Sequence, residues 1–396
     1  MHDVVVVGGG IVGLATAYRT IERWPDLRLT VVEKEAEVGL HQSQHNSGVL
    51  HAGLYYKPGS LKARLCRIGK EQMEEFAAAH NVPFRRLGKL VIASTKDEER
   101  ALAILAERAQ ANGVPGARLV SSEEIQEIEP HAVGTRGLHS PQTGVIDYQQ
   151  VCLALRDEIQ KRGAEVRLSW PVIGMQEHLS DVVVTSHEDQ LRTRTVISCG
   201  GLHSDRLMAL MVKPSARIVP FRGAFLRLRA GATRLVKGSI YPVPDPRYPF
   251  LGVHFTRRLD DSVWVGPNAV VALGRETYNR GIAPRDVADM LRFGGFWRLA
   301  SRHIATGARE LIDDRIRRIY FRKMTKYIPA LEYKDLEAGP SGIRAQLISS
   351  KGDIVDDFEL SETRRVVHLL NAPSPAATAS LAIGSLLADK LEERLW

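Results

Sequence analysis

The residues Gly8-Gly9-Gly10-Ile11-Val12-Gly13 have types and a spacing suited to one task, holding a pyrophosphate against backbone. In a G-x-G-x-x-G turn the first glycine makes the tight bend, the second lets the chain approach the phosphates, and the third allows a helix to pack closely on a strand. The helix N-terminus adds its partial positive charge. Glu33 lies twenty residues beyond Gly13. A carboxylate there accepts hydrogen bonds from ribose hydroxyls and disfavours a 2′-phosphate. Gly8, Gly10, Ile11, Val12, Gly13 and Glu33 are therefore candidate dinucleotide-binding residues, and the spacing alone leaves FAD and NAD both open.

Such a turn works only between a strand and a helix. Asp3–Val7 is a β-branched run, and Ile11, Leu14, Ala15, Tyr18 and Ile21 recur at helical spacing behind the glycines. Leu27–Glu33 is strand-like again, so the chain opens as β-α-β. Leu61, Leu65 and Ile68 mark one helix, and Leu102, Leu105, Ala106 and Ala109 another, with a strand at Lys89–Ser94 between them. A helix over Tyr148–Arg162 leads to strands at Glu165–Leu168, Val182–Thr185 and Thr195–Cys199. Between Ile218 and Val271 the alternating runs Ala224–Leu228, Phe250–Phe255 and Ser262–Val265, with a Pro-studded loop at Tyr241–Pro249, predict an antiparallel sheet. Helical segments around Ala283–Arg309 precede strands near Gly342–Ile348 and Val366–Leu370 and a closing helix from about Ala376. This layout predicts an α/β fold. Residues 1–83, 145–212 and 338–396 would form a discontinuous Rossmann-like nucleotide-binding domain, and 84–144 and 213–337 an inserted antiparallel-sheet α+β domain for substrate.

The 396 residues are 44% hydrophobic and 25% charged, which excludes wholesale disorder, fibrous architectures and small stapled scaffolds. Lys plus Arg, 54, exceeds Asp plus Glu, 46, by 8. The excess suits an anionic partner, whether a pyrophosphate, a carboxylate substrate, an acidic lipid surface or nucleic acid, and serves simple solubility equally well. Cys66, Cys152 and Cys199 lie far apart without a CxxC pair, which argues against a disulfide framework or a thiolate metal site and for a reducing compartment. The chain passes from Met1 straight into a strand, and no stretch approaches the ~20 apolar residues of a spanning helix. A cytoplasmic location is expected, with no metal.

Four longer strings are more specific than the glycine turn. They are His45-Asn46-Ser47-Gly48-Val49-Leu50-His51-Ala52-Gly53-Leu54-Tyr55-Tyr56 with Gly59-Ser60-Leu61-Lys62-Ala63; Val219-Pro220-Phe221-Arg222-Gly223; Tyr241-Pro242-Val243-Pro244-Asp245-Pro246 through Pro249–Phe255; and Asn371–Ala379. Through them the chain resembles the FAD-dependent family of D-amino-acid oxidase, glycine oxidase and sarcosine oxidase, most nearly its L-2-hydroxyglutarate oxidase/dehydrogenase branch. The resemblance spans nearly the whole chain. It implies noncovalent FAD and oxidation of L-2-hydroxyglutarate to 2-oxoglutarate, with electrons leaving for a quinone of a respiratory chain or for oxygen. Ala224 departs from the pattern, which leads one to expect an acidic residue after Phe-Arg-Gly.

Oxidising a 2-hydroxy acid needs a base for the hydroxyl proton while hydride leaves the α-carbon, and neutral histidine meets that need near pH 7. Among thirteen histidines, His51 is nominated as base, since the family places its string beside the flavin. The competing role is a buried histidine that bonds the flavin or backbone. His254 is the second candidate, for base or for a substrate hydrogen bond, and a satisfied sheet histidine is its alternative. A dicarboxylate calls for cationic anchors, and arginine binds carboxylates bidentately. Arg344 matches the family position for the α-carboxylate. Arg222 is a candidate for the distal carboxylate or a brace for the sheet, and Asn371 a further substrate contact. The resemblance also places Lys34, Ser43, His45, Asn46, Ser47, Val172, Cys199, Gly200 and Gly201 at FAD, with Val172 at the adenine. Ser374, Pro375, Ala376 and Ala377 would present a helix N-terminus to the flavin's N1/O2 edge.

Three other classes compete: an NAD-dependent dehydrogenase, an amino-acid or sarcosine-type oxidase within the flavin family, and an FAD-binding scaffold without activity. Phe293-Gly294-Gly295-Phe296-Trp297-Arg298 and Arg315–Lys323 mix aromatics with cations, which predicts peripheral contact with the inner face of the cell membrane near a quinone; helix core plus solvated face is the alternative. Nucleic-acid binding has no motif behind it.

Overall fold

The computed structural model describes residues 1–245, 252–303 and 317–395. Pro246–Leu251, the end of the helical segment expected to reach Arg309, and Arg315-Ile316 lie outside the described residues.

His2–Val7 is central because its valines alternate between two cores. Val4 and Val6 pack with Leu14, Tyr18, Val151 and Leu387, whereas Val5 and Val7 pack with Trp170, Met175 and Val184. A strand buried on both faces reads as a continuous apolar run, and this one does. It pairs in parallel with Leu29–Val32 and Gln190–Ser198, and the second of these pairs in parallel with Val366–Asn371. Glu165–Arg167 adds to the outer side of Leu29–Val32, while Gly174–Glu177 and Val182–Thr185 form an antiparallel extension. With Glu359–Glu362 antiparallel to Val366–Asn371, this makes one eight-stranded sheet among the described residues. Helices Ile11–Arg23 and Ser380–Leu395 cross on its face, where a Cβ on Gly384 would stand 2.6 Å from the Ala15 carbonyl oxygen. The Rossmann-like half of the prediction is thus observed.

A second sheet, nine-stranded among the described residues, carries Lys89–Ala93, Ala216–Leu228, Ser239–Pro242, His254–Arg257, Val263–Gly266 and Leu336–Ser349. Its central pairings are antiparallel, although Lys89–Ala93 runs parallel to Ser239–Pro242. The strand expected at Ala224–Leu228 is longer than its alternation suggested, because Ala216–Leu228 pairs along its whole length with Leu336–Ser349. That pairing puts residues 338–349 in the second sheet, not with the nucleotide-binding strands as predicted. One face of this sheet, with Leu90, Ile92, Ile240, Phe255 and Val265, buries against Tyr320, Met324 and Ile328. Among the described residues, the helical segments expected from Ala283 onward are Pro284–Leu291 and Gly294–Arg302.

Candidate active site

The phosphate turn is built to close tolerance. Gly8 has φ +108°, a conformation that side chains disfavour, and a Cβ on Gly13 would stand 1.9 Å from the Gly8 carbonyl oxygen. At Gly10 a Cβ would meet only Ser43 Oγ, at 3.5 Å, so the backbone there is open to a ligand. Ser43 Oγ accepts from the Ile11 N–H at 2.9 Å. Glu33 Oε2 accepts from the Gly9 N–H at 2.6 Å and Oε1 from the Glu35 N–H at 3.0 Å. Each oxygen keeps a lone pair for a ribose hydroxyl. Asn46 shapes the neighbouring loop, donating to the Gln42 and Ser43 carbonyls and accepting from the Gly48 N–H. Cys199 meets the turn through its carbonyl oxygen, 2.5 Å from a Cβ on Gly8, and Gly201 sits at φ +52° beside Gln42. Val172 is half-buried against the core around Trp170. These residues fit a dinucleotide.

Lys34 is otherwise engaged. Its Nζ pairs with Glu35, with Glu276 at 2.8 Å and with His41 at 2.9 Å, so the side chain ties the loop to the segment around Glu276. Glu35, His41 and Glu276 converge closely enough to face a cation, and this ammonium supplies it. Burial alone would raise the Glu276 carboxyl, but hydrogen bonds from His203 and Lys34 hold it at about 2. Tyr278, two residues on, stacks on His45 with ring centroids 3.9 Å apart.

His51 follows the short strand Val49–Leu50. Its N–H donates to Thr378 Oγ1 at 3.1 Å, and its Nε2 lies 3.4 Å from Ser374 Oγ. Thr378 also meets the Tyr148 hydroxyl at 2.8 Å, so the Pro-rich turn is pinned to the His51 loop. The closing helix begins at Ser380, later than expected. The Ala376 N–H is spent on the Pro373 carbonyl at 3.0 Å instead of on a ligand. Burial, with the charges of Lys89 and His254, pushes His51 well below its usual range, leaving it neutral at physiological pH.

The second sheet faces this loop. Ser239 pairs with both Lys89 and Thr256, and Tyr241 with Val91, so Lys89, Tyr241 and His254 share one face by the twofold alternation of strands. The His254 ring stacks on Tyr241 at 4.1 Å, and its Nδ1 lies 2.8 Å from the Gly252 carbonyl. That contact puts the proton on Nδ1 and leaves Nε2 as an acceptor. Burial and the charges of Lys89 and Arg344, against the Gly252 bond, bring His254 down to about 3.

Arg344 and Arg222 do not act together. Directly paired residues share a face, and Phe221 pairs with Arg344 while Arg222 pairs with Ile343. The two arginines therefore project to opposite sides. Gly342, on the Arg344 side, would place a Cβ 2.4 Å from the His45 carbonyl oxygen, so that side lies against the nucleotide-binding loop. Arg222 is buried away from it and is no partner for a ligand held by Arg344. Ala224 shares the Arg222 side, so the departure there leaves the Arg344 face intact. Asn371 is likewise a correction: it is 1% exposed, and its amide donates to the Val355 and Asp357 carbonyls at 2.8 and 2.9 Å. It braces the turn.

Sequence reasoning missed Lys89, Tyr55, Tyr241, Tyr278 and Thr378. Lys89 alone carried a readable signal, a lysine at the first position of a strand that is otherwise Leu-Val-Ile-Ala. Of the aromatics expected at a membrane, Phe293 and Phe296 pack against the core around Phe221, and Trp297 remains 56% exposed. A surface cleft of about 750 Å³ lined by Ser94, Glu99, Glu124 and Arg136 contains none of the site residues.

Residues 3–390 match the family model described as FAD dependent oxidoreductase. The chain belongs to that family. This decides the dinucleotide that the glycine turn left open, and FAD is the cofactor. The chain is 44% identical to the mitochondrial L-2-hydroxyglutarate dehydrogenase of Nematostella vectensis, covering 99% of this chain and 91% of that protein. It is 41% identical to the L-2-hydroxyglutarate dehydrogenase of Salmonella houtenae, covering 99% and 93%. In fold it matches a dithionite-reduced, FAD-bound L-α-glycerophosphate oxidase from Mycoplasma pneumoniae, with TM-score 0.79 at 21% identity over 98% of this chain and 94% of the other.

Proposed function

We propose that this flavoprotein oxidises L-2-hydroxyglutarate to 2-oxoglutarate. The observation that carries the reading is the near-full-length similarity, at about 40% identity, to L-2-hydroxyglutarate dehydrogenases of animals and bacteria. The site supplies matching chemistry. FAD, which the glycine turn and Glu33 would hold, would supply the acceptor for the hydride of the α-carbon. Arg344 holds the α-carboxylate. His51 accepts the hydroxyl proton, and His254, whose Nε2 is left as an acceptor by the Nδ1 contact with the Gly252 carbonyl, orients the hydroxyl from the sheet side. Substrate carboxylates arriving beside these neutral imidazoles raise their basicity at the moment it is needed.

FAD is held noncovalently. Burial pushes Cys66, Cys152 and Cys199 up to about 12, so none offers a thiolate for attachment. Electrons leave for a quinone of a respiratory chain or for oxygen. A cytoplasmic protein peripheral on the inner face of the membrane suits that acceptor: Ile282, Leu291 and Trp297 are exposed around the helices at 284–302, with Arg285, Arg292 and Arg298 in the same segment to meet anionic headgroups. No described helix is long and apolar enough to cross a membrane.

The test is an anaerobic visible spectrum of the purified protein, before and after L-2-hydroxyglutarate, with the D-enantiomer, L-lactate, glycine and sarcosine alongside. Flavin bands that bleach with the L-dicarboxylate alone support the reading. Bleaching by an amine moves the protein to the amino-acid oxidase side of its family. Failure to sediment with anionic vesicles would sink the membrane contact.

A further inference from the structure

Once Arg222 is turned away, the site described so far has one carboxylate anchor for a substrate with two carboxylates. On the face shared by Tyr241 and His254 stands a cation with no assigned task. Lys89 is 2% exposed. Among the described residues no carboxylate or other hydrogen-bond acceptor meets its Nζ; what surrounds it is aromatic, with the Tyr241 ring centroid at 4.0 Å and the Tyr55 centroid at 5.2 Å. A second polar group nearby is also unspent, since the Tyr55 hydroxyl is buried with no hydrogen-bond partner among the described residues. Its neighbour Tyr241 directs its own hydroxyl toward Thr256.

Burying an ammonium without a counter-ion costs several kcal/mol, and a methionine of similar volume would avoid the cost. Cation–π contact with two tyrosines returns only part of it. Burial accordingly pulls Lys89 down to about 7. The Tyr241 ring lies between this ammonium and the His254 ring, 4.0 and 4.1 Å from them, which places the charge in the same enclosure. An anion delivered from outside the protein would satisfy the ammonium and the Tyr55 hydroxyl together.

We infer that Lys89, assisted by the Tyr55 hydroxyl, binds the distal carboxylate of the substrate, so that selection for a dicarboxylate resides on the strand Lys89–Ala93 while Arg344 holds the α-carboxylate. This rests on the function proposed above. Lys89 is a specificity residue: it moves no proton in the oxidation and leaves the reacting carbon to the histidines.

The experiment compares the wild-type holoenzyme with Lys89→Met, Lys89→Arg and Tyr55→Phe, using a dye acceptor and two substrates, L-2-hydroxyglutarate and L-2-hydroxybutyrate, which lacks the distal carboxylate. For Lys89→Met, the preference for the dicarboxylate, read as the ratio of the two kcat/KM values, falls about 100-fold or more, mainly through KM for the dicarboxylate. Tyr55→Phe acts in the same direction by about tenfold. Wild-type KM for the dicarboxylate rises above about pH 7 as the ammonium deprotonates, and in Lys89→Arg this rise disappears because guanidinium stays charged. A wild-type enzyme that prefers the dicarboxylate, with Lys89→Met keeping that preference or losing both substrates equally, overturns the assignment while leaving the function standing. A wild-type enzyme with no preference for the dicarboxylate overturns both. Methionine's similar volume and apolar surroundings favour a folded variant, and retained flavin absorbance verifies it.

Discussion

The phosphate turn and the sheet face opposite it treat their polar groups in contrary ways. In the turn, the Gly9, Ile11 and Glu35 N–H groups, Ser43 and Glu33 already bond one another before any ligand is considered. The cofactor site is thus shaped by the chain's own hydrogen bonds and by glycines that admit no side chain. On the sheet face, His254 Nε2 and the donors of Lys89 and Tyr55 have no hydrogen-bond partner among the described residues, at a real cost in burial. A site for a permanent cofactor can be satisfied by the protein; a site for a substrate that comes and goes must keep its capacity in reserve.

Substitutions can break this contrast, and the largest effect belongs to the turn. Gly13→Val would drive side-chain atoms into the Gly8 carbonyl, and the expected result is protein without flavin, read as the ratio of flavin absorbance to protein. On the substrate side, His51→Ala should keep FAD but lower kcat by about 10²–10⁴. Normal turnover would remove His51 as base and leave His254. Arg344→Ala should cost about 10²–10³ in kcat/KM, mostly as KM, with the flavin spectrum unchanged. Asn371→Ala sharpens the comparison from the structural side: it should lower stability by about 1–2 kcal/mol in urea unfolding without shifting KM.

The smallest effect concerns pH. Glu276 is held down at about 2 in the folded protein against an ordinary 4.5. A depressed carboxylate contributes stability above its unfolded value and loses it as pH falls through the folded one. Stability should therefore decline between roughly pH 4.5 and 2, and Glu276→Gln should flatten that part of the curve in thermal melts taken as a function of pH.

Much of the nucleotide-binding half was legible because its signals are local. Val4–Val7, the four glycines and Glu33 lie within one β-α-β unit, where pattern and function coincide. The ion pair of Lys34 with Glu276 was not legible, because the two lie more than two hundred residues apart. On the substrate side, His51, His254 and Arg344 were singled out through resemblance to a family, and their roles there remain the proposal made above. Arg222 was left between an anchor for the distal carboxylate and a brace for the sheet, and no reading of Phe-Arg-Gly could show which side it took.

The sequence by itself determined the dinucleotide-binding turn, the alternation of helices and strands around it, and the residue types available for 2-hydroxy-acid chemistry, since these depend on periodicity and on neighbours a few residues apart. Only the tertiary structure decided which of those residues meet. Register in the pairing of Ala216–Leu228 with Leu336–Ser349 sent Arg344 toward the cofactor loop and Arg222 away from it, and a parallel pairing with Ser239–Pro242 set Lys89 on the face of Tyr241 and His254. A shift of one residue along a strand reverses every side chain, so the fate of a single cation turns on contacts made far along the chain.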